Sequence, residues 1–177
     1  QGHPERGSLP GIETTSGPLG CGLSQAAGMA YSLQYLGGNS ERFVYCSLGD
    51  GELDEGNIWE AAMFAKKYNL ANLIAIVDRN NIQIGGDTEK VMPLGELVDK
   101  WRSFGWDVQE IDGHNHSSII QAIDKAKNSR QPSVIVAHTV PGRGVDFMEY
   151  DYRWHGKSPN AEEAERALAQ LSEGGGE

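Results

Sequence analysis

The stretch "FVYCSLGDGELDEGNIWEAAMFAKKYN", residues 43–69, decides the fold, because an apolar run breaks at a turn and is followed by a helical pattern. "RFVYCSL" (42–48) is continuously apolar and rich in β-branched and aromatic residues, as strands buried on both faces are. "NIWEAAMFAKKYN" (57–69) has apolar residues at helical spacing and lysines in its last turns. The apolar run "NLIAIV" (72–77) then completes a strand-helix-strand unit.

The same alternation continues along the rest of the chain. Further helices are expected at 22–36, 94–104 and 117–128, and further strands at 106–111 and 133–140. This pattern predicts an α/β fold with a mainly parallel sheet and helices on both faces. Residues 141–159 are expected to form a long loop. We expect one domain over residues 1–172, lacking an N-terminal segment, and a disordered tail at 173–177.

Composition limits the partners of this 177-residue chain. Its 25 acidic against 15 basic residues give a formal net charge of -10, which argues against a nucleic-acid or anionic-membrane surface. No apolar run approaches the length of a membrane span, and the first residues do not resemble a secretory signal. Cys21 and Cys46 lack metal-type spacing and are expected to be free thiols in a reducing compartment. We therefore expect a cytoplasmic protein.

Four carboxylates crowd the turn after the first strand, at Asp50, Glu52, Asp54 and Glu55. Such crowding costs repulsion unless a positive charge or water lies among them. Because parallel strands end at the same edge of a sheet, Asp50 and Asn80 can converge there on one cation. Their oxygens suit Mg2+ or Ca2+ rather than zinc. Taken singly, each has a simpler interpretation: Asp50 as a helix cap, and "RNN" as a polar turn.

Together these residues resemble a known motif. "GDG" at 49–51 followed by "NN" at 80–81 resembles the binding motif of thiamine-diphosphate enzymes, and "GDGELDEGNIWEAAMFA" resembles its transketolase version. The similarity extends to "GHPE" at 2–5, "LPGIETTSGPLGCGLSQAAGMA" at 9–30, "IAIVDRNNIQIGG" at 74–86, "DGH" at 112–114 and "WHG" at 154–156. It covers nearly the whole chain and implies the thiamin diphosphate-binding fold.

The resemblance implies a metal site for Mg2+, with Ca2+ or Mn2+ as substitutes. Asp50 and Asn80 would contribute side-chain oxygens and Ile82 its backbone carbonyl. Two diphosphate oxygens and a water would complete an octahedral shell. We expect Asp50 to lie at the ligand edge and not in the core.

The resemblance also implies contacts to thiamine diphosphate. Gly17, Pro18 and Leu19 match the loop at the diphosphate and thiazolium, and Ile84 is expected to contact the cofactor. Gly51 permits a close approach of the backbone to the diphosphate, because it has no Cβ. A glycine-rich turn that enters a helix also offers N–H groups to an anion.

Two glutamates resemble a carboxylate network of the family. Glu55 matches the glutamate near the aminopyrimidine, which couples to a second glutamate on a partner domain, and Glu60 matches another member of the network. Glu52 and Asp54 are interpreted as solvated residues near a helix N-terminus.

The five histidines divide into two groups. His155 in "WHG" matches the family histidine that reaches diphosphate and substrate, and His3 in "GHPE" matches one that holds the sugar's oxygens. His114 and His116 are interpreted as turn and capping residues, and His138 as a core histidine in a strand. The expected catalytic residues are therefore His155, His3 and Glu55.

The activity implied is that of a transketolase, which moves a two-carbon ketol unit from a ketose phosphate to an aldose phosphate, as in the pentose phosphate pathway. A transketolase also needs a pyrimidine-binding domain, which nothing after residue 160 resembles, and the chain begins inside a family motif. We expect a fragment, or the N-terminal subunit of a split transketolase. Its partner would be a C-terminal subunit with the pyrimidine-binding domain, around a homodimer core in a heterotetramer.

Two alternatives remain open. Subunits of 2-oxoacid dehydrogenases or deoxyxylulose-phosphate synthase share "GDG…NN", although "GHPE", "GPLG" and "WHG" weigh against both. A non-catalytic cofactor-binding module is the alternative from another class.

Overall fold

The computed structural model describes residues 2–37, 39 and 41–174. The strands are β1 (Val44–Gly49), β2 (Leu73–Arg79), β3 (Ile82–Gln83), β4 (Gly86–Asp87), β5 (Asp107–Asp112) and β6 (Ser133–His138). The helices are α1 (Cys21–Tyr35), α2 (Gly56–Lys67), α3 (Thr88–Val91), α4 (Leu97–Ser103), α5 (His116–Lys127) and α6 (Ala161–Gly174). Short 3-10 turns span Gly51–Asp54 and Tyr152–Trp154.

Four strands form one parallel sheet in the order β1-β2-β6-β5. Gly49 pairs with Asp78, and Arg79 pairs with His138, so the carboxyl ends of three neighbouring strands lie side by side. The α/β fold with a mainly parallel sheet and helices on both faces is confirmed. This edge is where open α/β sheets bind ligands.

Each face of the sheet has its own apolar core. On one face, α1, α2 and α4 contribute Leu23, Ile58 and Trp101, all fully buried. On the other face, Ala122 and Ala126 of α5 pack against the sheet. Burial on both faces of the sheet explains why the first residues of β2, "LIAIV", are all apolar.

Strand β1 ends the sheet, because no second strand pairs with its outer side among residues 2–37, 39 and 41–174. The side chains of β1 alternate between a buried face and an exposed face, and Tyr45 lies on the exposed one. A groove of about 850 Å³ runs between this edge, α1 and residues 6–16. Backbone groups of the sheet therefore reach the surface along β1.

Several features differ from the sequence-based expectation. The β3–β4 hairpin and α3 follow Asn81, where the sequence patterns predict no element. Helix α6 runs to Gly174 and so includes the first two residues of the expected tail, while residues 175–177 lie outside the described residues. No helix in the described part of the chain is long and apolar enough to cross a membrane.

Candidate functional site

Asp50 is the most densely hydrogen-bonded side chain at the carboxyl edge, and it is only 1% exposed. Its Oδ2 accepts from Arg79 Nη1 at 2.9 Å and from the Asn81 backbone N–H at 2.8 Å. Its Oδ1 accepts from the Gly51 N–H at 2.8 Å and from the Thr88 hydroxyl at 3.2 Å. Asp50 lies at the carboxyl edge and outside both apolar core clusters, as expected, but it is buried there because neighbouring donors enclose it. Coordination of a cation by Asp50 requires one of these donors to move.

Arg79 is the positive charge among the crowded carboxylates. Its guanidinium is about 10% exposed and pairs with both Asp50 and Glu89. Desolvation alone would raise the pKa of Glu89, but the hydrogen bond and charge of Arg79, with backbone N–H groups of Leu94 and Gly95, hold this pKa below its ordinary value. The Arg79–Glu89 ion pair therefore links the end of β2 to α3.

The structure shows why the motif has a second asparagine, Asn81. It adopts a left-handed conformation with φ of 64°, which Asn tolerates better than most residues. That turn directs its N–H to Asp50 and its carbonyl to the Thr88 N–H at 2.9 Å. Asn81 therefore holds the β3–β4 hairpin against the end of β1.

The structure brings Asn80, Ile82 and His155 to one cavity of about 450 Å³. Asn80 Oδ1 accepts from the Ile82 N–H at 3.0 Å, and Asn80 Nδ2 donates to Asp78 Oδ2 at 3.0 Å. The opposite wall comes from the loop after β6. The remaining lining residues are Pro141, Gly142, Met148, Asp151, Trp154, Gly156, Lys157 and Pro159.

An aromatic pair and an imidazole hold that loop in place. The Trp154 indole N–H donates to the Phe147 carbonyl at 2.8 Å, and the two rings meet edge to face. The backbone N–H of Val140 donates to Nε2 of His114 at 2.7 Å. His114 thus anchors the start of the loop that carries the exposed His155, a role that the sequence did not indicate.

The loop at 17–19 lines a second cavity, of about 210 Å³. A Cβ added at Gly17, whose φ is 140°, would lie 3.1 Å from the His3 ring, so the ring rests on this glycine. The Gly20 N–H donates to Glu52 Oε1 at 2.7 Å, and the Gly49 N–H donates to Oε2 at 3.1 Å. Glu52 therefore clamps this loop to β1, and the interpretation of Glu52 as a solvated residue is wrong.

The other predicted residues are exposed. Glu55 is exposed at the N-terminus of α2, with its Cβ against Gly20, and Glu60 is exposed farther along α2. Leu19 and Ile84 are 60% and 80% exposed. Exposed apolar side chains of this kind at a ligand edge suit a surface that a cofactor or partner covers.

The chemistry of the donors fits a hard cation and an anionic group. Asp50, Asn80 and Ile82 offer oxygens only, as Mg2+ prefers. The buried Nε2 of Gln83 has no hydrogen-bond partner among the described residues, and a Cβ added at Gly51 would lie 2.9 Å from the Gln83 Cβ. The space that Gly51 leaves free is therefore occupied by Gln83, and the unpaired Nε2 of Gln83 is the group suited to donate to a diphosphate oxygen.

Clusters of three or more His, Cys, Asp or Glu side chains that would hold a metal are absent from the described residues. A metal at this edge would therefore depend on the single carboxylate of Asp50, on amide and carbonyl oxygens, and on oxygens of a bound ligand.

Two histidines differ from the sequence interpretation. His138 is half exposed and pairs with Glu110 at 2.7 Å, so the prediction of a core histidine is wrong. It is the last residue of β6 and the only exposed residue of that strand, at the carboxyl edge of the sheet. The cap of α5 is Asn115, whose Oδ1 accepts from the Ser118 N–H, while His116 begins the helix.

Comparisons with known proteins agree with this geometry. Residues 1–172 match the family model "Transketolase, thiamine diphosphate binding domain". The chain is 42% identical over 173 residues to one subunit of an apulose-4-phosphate transketolase from Phocaeicola vulgatus, covering 97% of this chain and 60% of that protein. It is 45% identical over 166 residues to the 6-deoxy-6-sulfo-D-fructose transketolase subunit SqwG of a Clostridium species, covering 93% and 60%. The chain thus spans about 60% of the length of these relatives.

Solved structures of transketolases share the fold. A Pichia stipitis transketolase in complex with sedoheptulose 7-phosphate superposes with a TM-score of 0.87 at 29% identity, covering 96% of this chain and 26% of that one. The Campylobacter jejuni transketolase gives a TM-score of 0.82 at 33% identity, covering 89% and 26%.

Proposed function

This chain belongs to the family of transketolase thiamine diphosphate-binding domains, and we propose that it is the diphosphate-binding subunit of a split transketolase. In this proposal it transfers a two-carbon ketol unit from a ketose phosphate to an aldose phosphate, together with a partner subunit. One observation carries the proposal: Asn80 and Ile82 from the motif at 74–86 and His155 from the motif at 154–156 line one cavity at the carboxyl edge of the sheet.

Mg2+ would be held by oxygens at the ends of β1 and β2. Asn80 and Ile82 are the ligands that already line the cavity. Asp50 joins them once a donor leaves its Oδ1, and the Thr88 hydroxyl, at 3.2 Å, makes the longest of its four bonds. The unpaired Nε2 of Gln83 would donate a hydrogen bond to a diphosphate oxygen, while the Gly51 N–H stays with Asp50.

Thiamine diphosphate supplies an electron sink that permits cleavage of the carbon–carbon bond beside the ketose carbonyl. The chain's own residues orient the substrate and move protons. His155, exposed on the loop wall of the cavity, would donate a hydrogen bond or proton to substrate oxygen. His3, resting on Gly17, would hold further sugar oxygens.

The partner subunit would supply the pyrimidine-binding domain and its glutamate. Two similar proteins are named as transketolase subunits, which supports a two-chain enzyme. The exposed Glu55 and Glu60 would meet this partner or a second copy of the chain, in a homodimer core within a heterotetramer. Both described cysteines are free, which supports a reducing, cytoplasmic site of action.

Calorimetry followed by turnover tests this function. The chain should bind thiamine diphosphate only with Mg2+, and should convert a ketose phosphate only after the partner subunit is added. Asn80→Ala should weaken cofactor binding, and the exposed Asn128→Ala serves as the matched control. Turnover by the chain alone would refute the split site, and cofactor binding without turnover in the presence of the partner would favour a non-catalytic module. Activity with 2-oxoacid donors in place of ketose phosphates would indicate the alternative enzymes.

A further inference from the structure

We propose that Asp78 is a positioning residue that sets the orientation of the Asn80 amide toward the cation. The inference rests on the proposed function, because it concerns the same metal site. Asp78 is the penultimate residue of β2, and Asn80 follows the strand, so both side chains leave the backbone on the same side. Asn80 Nδ2 donates to Asp78 Oδ2 at 3.0 Å.

The orientation of the Asn80 amide is required by both of its neighbours. An ionised carboxylate only accepts hydrogen bonds, so Asp78 must face the NH2 group. A backbone N–H only donates, so Ile82, at 3.0 Å, must face the amide oxygen. The two requirements agree, and a flipped amide would lose both bonds. The oxygen of Asn80 is therefore kept on the side of the cavity.

Asp78 is itself fixed by the neighbouring strand. Its Oδ1 accepts from the hydroxyl of Thr139, the first residue after β6, and the Thr139 N–H donates to the Arg79 carbonyl. Both Asp78 and Thr139 are half-buried. Within the described residues Asp78 makes no ion pair, so both of its oxygens serve as hydrogen-bond acceptors, one from Asn80 and one from Thr139. This arrangement resembles the outer-shell carboxylates that orient metal ligands in other proteins.

The contacts predict different effects for three substitutions. Asp78→Asn removes the charge and allows either amide orientation, so it should weaken Mn2+ affinity about tenfold or more. Thr139→Val removes only the outer hydroxyl and is the control, with a loss of about threefold or less. The swap that combines Asp78→Asn with Asn80→Asp restores one donor facing one carboxylate, and should regain most of the affinity.

The test measures Mn2+ binding to the full chain with thiamine diphosphate by electron paramagnetic resonance, together with melting temperatures. A double-mutant cycle with Asn80→Ala gives the decisive readout: if Asp78 acts through Asn80, adding Asp78→Asn to Asn80→Ala should change affinity by less than about twofold. The melting temperatures establish that all four proteins of the cycle are folded, so that the non-additivity reports on the contact and not on a loss of fold.

Each result bears on one of the two proposals. Wild-type chain that binds Mn2+ and cofactor, with unchanged affinity in Asp78→Asn or an additive cycle, overturns the role of Asp78 alone. Wild-type chain that binds neither overturns the proposed function and this inference with it. If Asp78→Asn does not fold, the swap decides: affinity within about tenfold of wild type supports the role, and a folded swap that binds more weakly overturns it.

Discussion

The two walls of the larger cavity are built in opposite ways. The strand wall, residues 78–82 with Asp50 behind them, consists of polar groups whose partners lie in neighbouring strands and in the hairpin. The loop wall, residues 141–159, presents exposed side chains and is held by contacts within itself, by His114 and by α6, where Asp146 pairs with Arg166 and Lys157 pairs with Glu163. A ligand would thus meet one side that is built into the sheet and one that is attached largely by exposed side chains. Substitutions should reveal the difference, because strand-wall residues serve folding and binding together.

Asp50→Ala should have the largest effect, and it should affect both properties. It leaves the buried Arg79 guanidinium with only Glu89, so we expect a loss of about 3 kcal/mol in the free energy of unfolding and no measurable cation affinity. Urea unfolding and Mn2+ binding measure the two effects. Asp54→Ala, an exposed carboxylate in the same turn, is the control. Wild-type stability in Asp50→Ala would show that the strand wall is not part of the fold's support.

His155→Ala should affect only turnover. Its side chain is exposed, so the melting temperature should stay close to that of wild type, while kcat/KM with the partner subunit should fall roughly a hundredfold. Steady-state kinetics and thermal unfolding of the same preparation separate these effects. His116→Ala is the exposed control. Normal kinetics with a lowered melting point would instead make His155 a packing residue of the loop.

Trp154→Phe should loosen the loop wall locally. The substitution keeps the ring contact with Phe147 and removes one hydrogen bond, a loss of about 1 kcal/mol. Hydrogen exchange should show lower amide protection over 147–157, with the strand wall unchanged. Trp59→Phe removes a similar bond, to the Leu53 carbonyl at 3.0 Å, and should affect the 51–54 turn instead. Equal effects of both variants on both walls would show that the loop wall does not loosen independently of the strand wall.

The last expected effect is absent at neutral pH and appears only under alkaline conditions; it arises in β1, the strand that precedes Asp50. Burial, with the nearby charge of Glu52, raises the pKa of the Cys46 thiol from 9.0 to about 12. Between these values the unfolded chain loses the thiol proton and the native chain keeps it. This contribution to stability is therefore complete below pH 9 and is lost as pH rises toward 12, by at most about 1.4 kcal/mol per pH unit.

Chemical unfolding of wild type and Cys46→Ala across pH 8–11 isolates this contribution, and Cys21→Ala is the control. The slopes of wild type and Cys21→Ala should match, and Cys46→Ala should be less steep. Identical slopes for all three would show that the thiol ionises equally in both states.

Local patterns were enough to predict the main layers of the fold and the residues around the cavity. The runs at 42–48 and 72–77 have strand character in themselves, and the helix between them has its own periodicity. The β3–β4 hairpin was missed because two-residue strands bury too little for an alternating pattern. Asn80 and His155 were identified from their motifs, but their distance from one another depends on how the loop after β6 packs.

The missed contacts are tertiary. Arg79 and Asp50 are 29 residues apart, and nothing in the spacing indicates that a guanidinium lies on the predicted metal ligand. Glu52 looked solvated because its two donors are backbone N–H groups, which carry no sequence signal. Asn81 offered a usable signal, since asparagine is a common choice where a non-glycine residue must take a positive φ.

The outer edge of β1 has a consequence for how this chain behaves in concentrated solution. Wherever no other segment covers it, unpaired N–H and C=O groups stand beside an apolar groove, and a strand of any sequence can hydrogen-bond to them. Two copies that pair at this edge would form one continuous sheet, with β5 of each copy at its two outer ends. Association of this kind would compete with the proposed pairing with a partner subunit, so a segment that covers β1 would also protect the chain against aggregation.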